Sequence, residues 1–124
     1  MTELELLAPA RNADIGIAAI RCGADAVYIA GPDFGARKDA GNPVDEIARL
    51  RDYAHRYGAR VFVTFNILLR EDELEQAHSQ MLAAQTAGAD AFIIRDPRIC
   101  LWNDINVPLH ASTQCAIRDA ARAR

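Results

Sequence analysis

The segment "HASTQ" (110–114) sets His110 beside Ser112, Thr113 and Gln114. An imidazole titrates near neutrality, so a histidine in such company can bind a polar substrate or move a proton. No Ser–His–Asp or Cys–His set accompanies it as a local motif, and a satisfied histidine in a barrel wall reads equally well. Six of the fourteen Arg and Lys residues, Arg11, Arg37, Lys38, Arg70, Arg95 and Arg98, fall in the loops that follow predicted strands. A basic mouth of that kind suits a phosphate or carboxylate ligand. Asp33, Asp39, Glu71, Asp72 and Asp96 share those loops and can neutralise the cations as local pairs or helix caps. His55 and His78 read as surface residues in the middle of helices. Cys22, Cys100 and Cys115 form neither a disulfide framework nor a C-x-x-C knuckle. Cys22 reads as part of a buried helical stripe, and Cys115 stands where a helix dipole could lower a thiol pKa.

These side chains need a frame, and a repeat supplies it. "GADAVYI" (23–29) returns as "GADAFII" (88–94), with a looser copy "GARVFV" at 58–63. The spacings between Gly23, Gly58 and Gly88 are 35 and 30 residues, the length of one strand–helix–strand unit. Each glycine follows helical periodicity and precedes a short β-rich run, so each is expected to end a helix in the left-handed conformation. Ile15, Ala18, Ala19 and Cys22 mark the apolar face of a first helix capped by Asn12. Asn42 and Pro43 open a second, with Ile47, Leu50, Ala54 and Tyr57 on its inner face. Leu74, Ala77, Met81 and Ala84 stripe a third.

The strands "VYIA" (27–30), "VFVTF" (61–65) and "AFII" (91–94) are continuous apolar runs, the mark of a parallel sheet covered by helices. "LELLA" (4–8) and "VPLHAS" (107–112) supply a first and a fifth. Asp96-Pro97 starts a short helix after strand four. The order predicts an α/β protein, either an open doubly wound sheet or part of an eight-stranded barrel. In both, ligands sit beyond the carboxyl ends of the strands. The longest segment there, "GPDFGARKDAGN" (31–42), matches neither GxGxxG nor a P-loop.

A length of 124 residues suits one domain, and a chain 51% apolar and 25% charged is expected to fold. The net charge of −3 gives no global pull toward nucleic acid. No run is long enough to span a membrane and no secretory start is present, which predicts a reducing cytoplasm. The fifth helix stops at Arg124 without a cap, as expected of a chain cut inside a longer fold.

"ELLAPA", "GADAVYIAGPDFGAR", "AHRYGARVFVTFN" and "HASTQCAIR" occur in that order. Together they resemble the collagenase-like U-32 peptidase family, and within it the branch that hydroxylates a cytidine of 23S ribosomal RNA. The resemblance implies that residues 1–124 are the N-terminal part of a (β/α) domain, about five-eighths of a TIM-like barrel. It implies RNA as a partner and Arg11, Tyr28, Phe34, Arg37, Asn66, Asp96, His110, Ser112 and Gln114 as substrate-binding candidates. It also implies a downstream cysteine-rich segment that holds an iron–sulfur cluster in the full-length protein. That segment is absent from this sequence, so the isolated chain is expected to be inactive and cluster-free. No catalytic residue carries over. A collagenase-like peptidase or a non-enzymatic α/β binding module are the alternatives.

Overall fold

A computed structural model describes residues 6–31, 43–65 and 69–111. Five strands alternate with helices: β1 (Leu7–Ala10), α1 (Ala13–Arg21), β2 (Ala26–Ala30), α2 (Val44–Arg56), β3 (Arg60–Phe65), α3 (Leu74–Ala87), β4 (Ala91–Ile94) and β5 (Leu109–Ala111). Short 3-10 segments, Glu71–Glu73 and Pro97–Leu101, precede α3 and follow β4. All neighbouring strands are parallel and the order is β1-β2-β3-β4-β5. The class is as the periodicity predicts, and so is the element order as far as β5; the expected fifth helix lies outside the described residues. The first strand lies later than expected, at Leu7–Ala10 rather than 4–8, and residues 1–5 fall outside the described part. It pairs only with β2 in this sheet, which lets it accommodate Pro9, a residue with no N–H to donate.

Strand alternation divides the sheet into two faces. On one, Val27, Ile29, Val61, Val63, Phe65 and Phe92 are buried against Ile47, Leu50 and Ala54 of α2 and Ala77, Met81 and Ala84 of α3. The Phe65 and Phe92 rings meet edge to face at 5.5 Å. On the other, Ala26, Phe62 and Ala91 form a smaller cluster, with Tyr28 and Ile93 packed against it.

The helix faces need two corrections. In α1 the buried residues are Ala13, Gly16 and Ile20, while Ile15 and Cys22 are exposed. A Cβ on Gly16 would lie 2.7 Å from Leu50 Cδ1, so close approach to α2 selects that side. Glu46 reinforces the choice by accepting the Ala13 N–H at 3.3 Å, and Arg49 bridges to Asp14 at 2.9 Å. In α2, Ile47, Leu50 and Ala54 are buried as expected, but Tyr57 is exposed and stacks on Tyr53 with 4.8 Å between centroids. The helix begins at Val44 with Pro43 as its cap residue, and Asn42 lies outside the described residues. Asn12 does cap α1, its Oδ1 accepting from the Ile15 N–H at 2.9 Å.

Gly23, Gly58 and Gly88 have φ of 108°, 71° and 107°, the left-handed conformation that ends each helix. The residue that follows "GA" explains the repeat further. Asp25 Oδ2 accepts the Leu6 N–H at 2.8 Å, and Asp90 Oδ2 accepts the Val61 N–H at 2.8 Å. Each carboxylate ties the start of its own strand to the start of the preceding one. The middle copy has Arg60 at this position, and its backbone N–H donates to the Asp25 carbonyl at 3.1 Å. The repeated Gly and Asp thus do structural work at the amino-terminal edge of the sheet, away from the edge where ligands bind in such folds.

Candidate functional site

The carboxyl ends of the five strands lie along one edge, where Ala10, Ala30, Phe65, Ile94 and Ala111 close their strands. Tyr28 pairs in register with Pro9 on one side and Phe62 on the other, and is half-buried on the face away from the helices. His110 pairs with Ile93 one residue before the end of β5 and is exposed. Its ring lies 5.4 Å from that of Phe62, tilted by 31°. The Arg60 guanidinium stands 5.3 Å from the Phe62 centroid, at the amino-terminal end of β3. Alternation therefore brings Tyr28, Phe62, Ile93 and His110 onto one surface.

Asp96 plays another part. It is 1% exposed and accepts four hydrogen bonds. The Leu69 N–H donates to Oδ2 at 2.9 Å, and the Arg98 N–H and Nε to Oδ1 at 3.0 Å each. Arg98 Nη2 donates to Oδ2 at 2.6 Å and also reaches the Leu69 carbonyl. The bonds from the Arg98 side chain, chiefly, hold the Asp96 carboxyl down at about 2; the backbone N–H groups add to this while burial opposes it. A carboxylate with this many protein donors is a clamp between the segments after β3 and β4. It lies just past β4 with both carboxylate oxygens engaged by Leu69 and Arg98.

The basic mouth is narrower than the loops suggest. Arg98 is committed to Asp96, and Arg70 lies within 3.4 Å of Asp72 and 3.6 Å of Glu73. Arg11 is exposed just past β1, and Arg95 is half-buried just past β4. Phe34, Arg37, Lys38, Asn66, Ser112, Gln114 and Cys115 lie outside the described residues.

Two histidine contacts escaped the sequence reading. His55 Nε2 lies 3.1 Å from Asp90 Oδ2. His78 is half-buried rather than a plain surface residue: it stacks on Trp102 at 4.4 Å and meets Asp104 Oδ1 at 2.6 Å. Gln85 completes that contact, donating to the Asp104 carbonyl and accepting the Asn106 N–H. Asp104 follows 26 residues after His78, a separation with no helical or strand period to reveal it.

Cys22 and Cys100 are exposed on separate elements, and among the described residues no group of three His, Cys, Asp or Glu side chains could hold a metal ion. No described helix is long and apolar enough to cross a membrane.

A consecutive parallel sheet with helices packed on one face defines an α/β protein. The chain belongs to peptidase family U32, whose family model matches residues 11–124. It is 50% identical to the "23S rRNA 5-hydroxycytidine C2501 synthase" of Escherichia coli (strain K12), over 98% of this chain and 18% of that protein. It is 38% identical to "tRNA hydroxylation protein P1" of Bacillus subtilis (strain 168), over 89% of this chain and 27% of that protein. The chain thus spans about a fifth and just over a quarter of the length of these two curated relatives. Among solved structures, the U32 peptidase Mk0906 superposes with a TM-score of 0.69 over 94% of this chain and 51% of that one. Sequence identity there is 12%, so the likeness speaks for the fold.

Proposed function

We propose that this chain is the substrate-facing, N-terminal part of an RNA-hydroxylating U32 protein, acting on a cytidine of large-subunit ribosomal RNA. The observation that carries the reading is the 50% identity to the Escherichia coli 23S rRNA enzyme across 98% of the chain. The carboxyl edge fits the role chemically. Arg11 and Arg95 border it and suit phosphate, His110 near the end of β5 presents a ring of the kind that holds unstacked bases, and Tyr28 lies deeper on the same face. The five consecutive strands are, in this reading, about five-eighths of a (β/α) barrel completed by the rest of the full-length protein. The same remaining part would carry any iron–sulfur cluster, and RNA binding and orientation fall to this chain. The setting is cytoplasmic.

The test is deletion of the gene in its host, followed by mass spectrometry of ribosomal RNA digests. Loss of 5-hydroxycytidine, restored by the full-length gene, is the expected result. An unchanged nucleoside profile, or gelatin cleavage by the purified full-length protein, would transfer the assignment to another activity of the family.

A further inference from the structure

His110 differs from the other two histidines in what it touches. His55 and His78 each meet an aspartate carboxylate, Asp90 and Asp104 respectively. The described contact of His110 is a ring, Phe62, and no carboxylate among the described residues forms an ion pair with it. A histidine that moves protons usually has an orienting partner that fixes its tautomer. This one has an aromatic backing instead.

That backing is rigid. Phe62 is 5% exposed, clustered with the small residues Ala26 and Ala91 and flanked by Tyr28 and Ile93. The Arg60 guanidinium adds a cation–π contact to the same ring. His110 is itself exposed and sits one residue from the carboxyl end of β5. A flat ring held against a fixed partner, with solvent-accessible surface at the mouth of the sheet, offers what a displaced nucleobase needs for stacking.

We propose that His110, supported by Phe62, is a stacking platform for an unpaired base of the RNA substrate and not a proton-transfer group. The inference rests on the RNA reading above and deepens it by assigning the role of one residue.

The experiment uses the full-length protein with His110→Phe and His110→Ala, and a short RNA hairpin carrying fluorescent pyrrolocytidine in its loop. Wild type and His110→Phe should bind with affinities within about threefold and quench the probe. His110→Ala should bind about tenfold more weakly and leave it bright, the scale expected for one lost base–aromatic stack. Hydroxylation of unlabelled hairpin should follow suit, with His110→Phe keeping kcat and His110→Ala raising KM.

Three results would overturn the assignment. One is a His110→Phe protein as impaired in binding as His110→Ala. Another is a fall in kcat of about a hundredfold in His110→Phe with unchanged affinity, which is proton-transfer behaviour. The third is wild-type quenching in His110→Ala. If His110→Ala fails to fold, as circular dichroism would reveal, His110→Phe alone decides, through retained or lost quenching. A wild-type protein that neither binds the hairpin nor forms hydroxycytidine would remove the RNA reading as well. A wild type that does both beside an indifferent His110→Ala would remove only this inference.

Discussion

The Asp96 carboxylate accepts the Leu69 backbone N–H at 2.9 Å, joining the segment after β4 to the segment after β3 across 27 residues of chain. Arg98 closes the arrangement by donating to both Asp96 and the Leu69 carbonyl. The carboxyl edge of the sheet is thereby fastened independently of any ligand.

Asp96→Asn keeps the shape but removes the charge and presents an NH2 group to donors. A cost of about 1–3 kcal/mol is expected, the range for disturbing charged, buried hydrogen bonds. Asp96→Ala should cost more, because it leaves Leu69 N–H and the Arg98 guanidinium without this acceptor. Urea unfolding measures both, and midpoints equal to wild type would contradict the clamp.

The pH dependence has a definite sign. The folded-state value for Asp96, about 2, lies below the ordinary carboxyl value of about 3.9 expected in the unfolded chain. Its stabilising contribution is therefore complete above about pH 4 and is lost as pH falls toward about 2. The stability gap between wild type and Asp96→Asn should be constant near neutrality and narrow over that acid window. A gap that widens on acidification would contradict the assignment.

Asp25→Ala and Asp90→Ala test the repeat. Each removes the acceptor for a backbone N–H at a strand start, with an expected loss of about 1 kcal/mol. Asp90→Ala should be the more damaging, since His55 loses its partner too. Thermal unfolding of the two variants side by side gives the ranking.

The glycine joints differ in what surrounds them. At Gly23 an added Cβ meets nothing within 4 Å, so alanine brings only the strain of a left-handed conformation, about 1–2 kcal/mol. At Gly88 it would also lie 2.4 Å from Arg51 Nε, and a larger loss is expected. Shortening Arg51 to alanine should recover the excess in Gly88→Ala and none of the loss in Gly23→Ala. A double-mutant cycle reads this coupling directly.

Among the described residues β1 and β5 each have one neighbouring strand, and Leu6 just before β1 and Leu7 at its start are 58% and 42% exposed. Unpaired edges of this kind template association. The isolated 124-residue polypeptide should form dimers or larger species in sedimentation at micromolar concentration. A compact monomer that leaves an environment-sensitive dye dark would argue against it.

Periodicity made the elements legible because each βα unit is local: glycine stops, apolar runs and the stripes of α2 and α3 all reside within about 35 residues. What it misjudged depended on partners distant in the chain. The face of α1 is chosen by Leu50 against Gly16, which moves Ile15 and Cys22 to the surface. Tyr57 continues the inner stripe of α2 on paper, yet it falls past the last buried turn. The site was legible as a set of loops, and Tyr28 and His110 do share one face. The alternation of strands implied that, but not that Phe62 would back the imidazole. The Asp96 clamp was legible only in part, since Arg98 is two residues away but Leu69 meets Asp96 only through the fold. Arg70 and Arg98 are held by acids two or three residues away, the local pairing that the shared loops already offered.

The consecutive strand order bears on how the chain is made. Every strand after β1 pairs with the one synthesised just before it, so each finds its template already present as the chain leaves the ribosome. Among the five described strands, assembly can then proceed by successive short loop closures, with none inserting between two earlier ones. The Asp25 and Asp90 bonds suit that sequence, since each joins the start of a strand to its predecessor in the observed register. A one-residue slip would leave both the carboxylate and the apolar face misplaced. An arrangement of short repeats in consecutive order thus favours strand-by-strand pairing in one register.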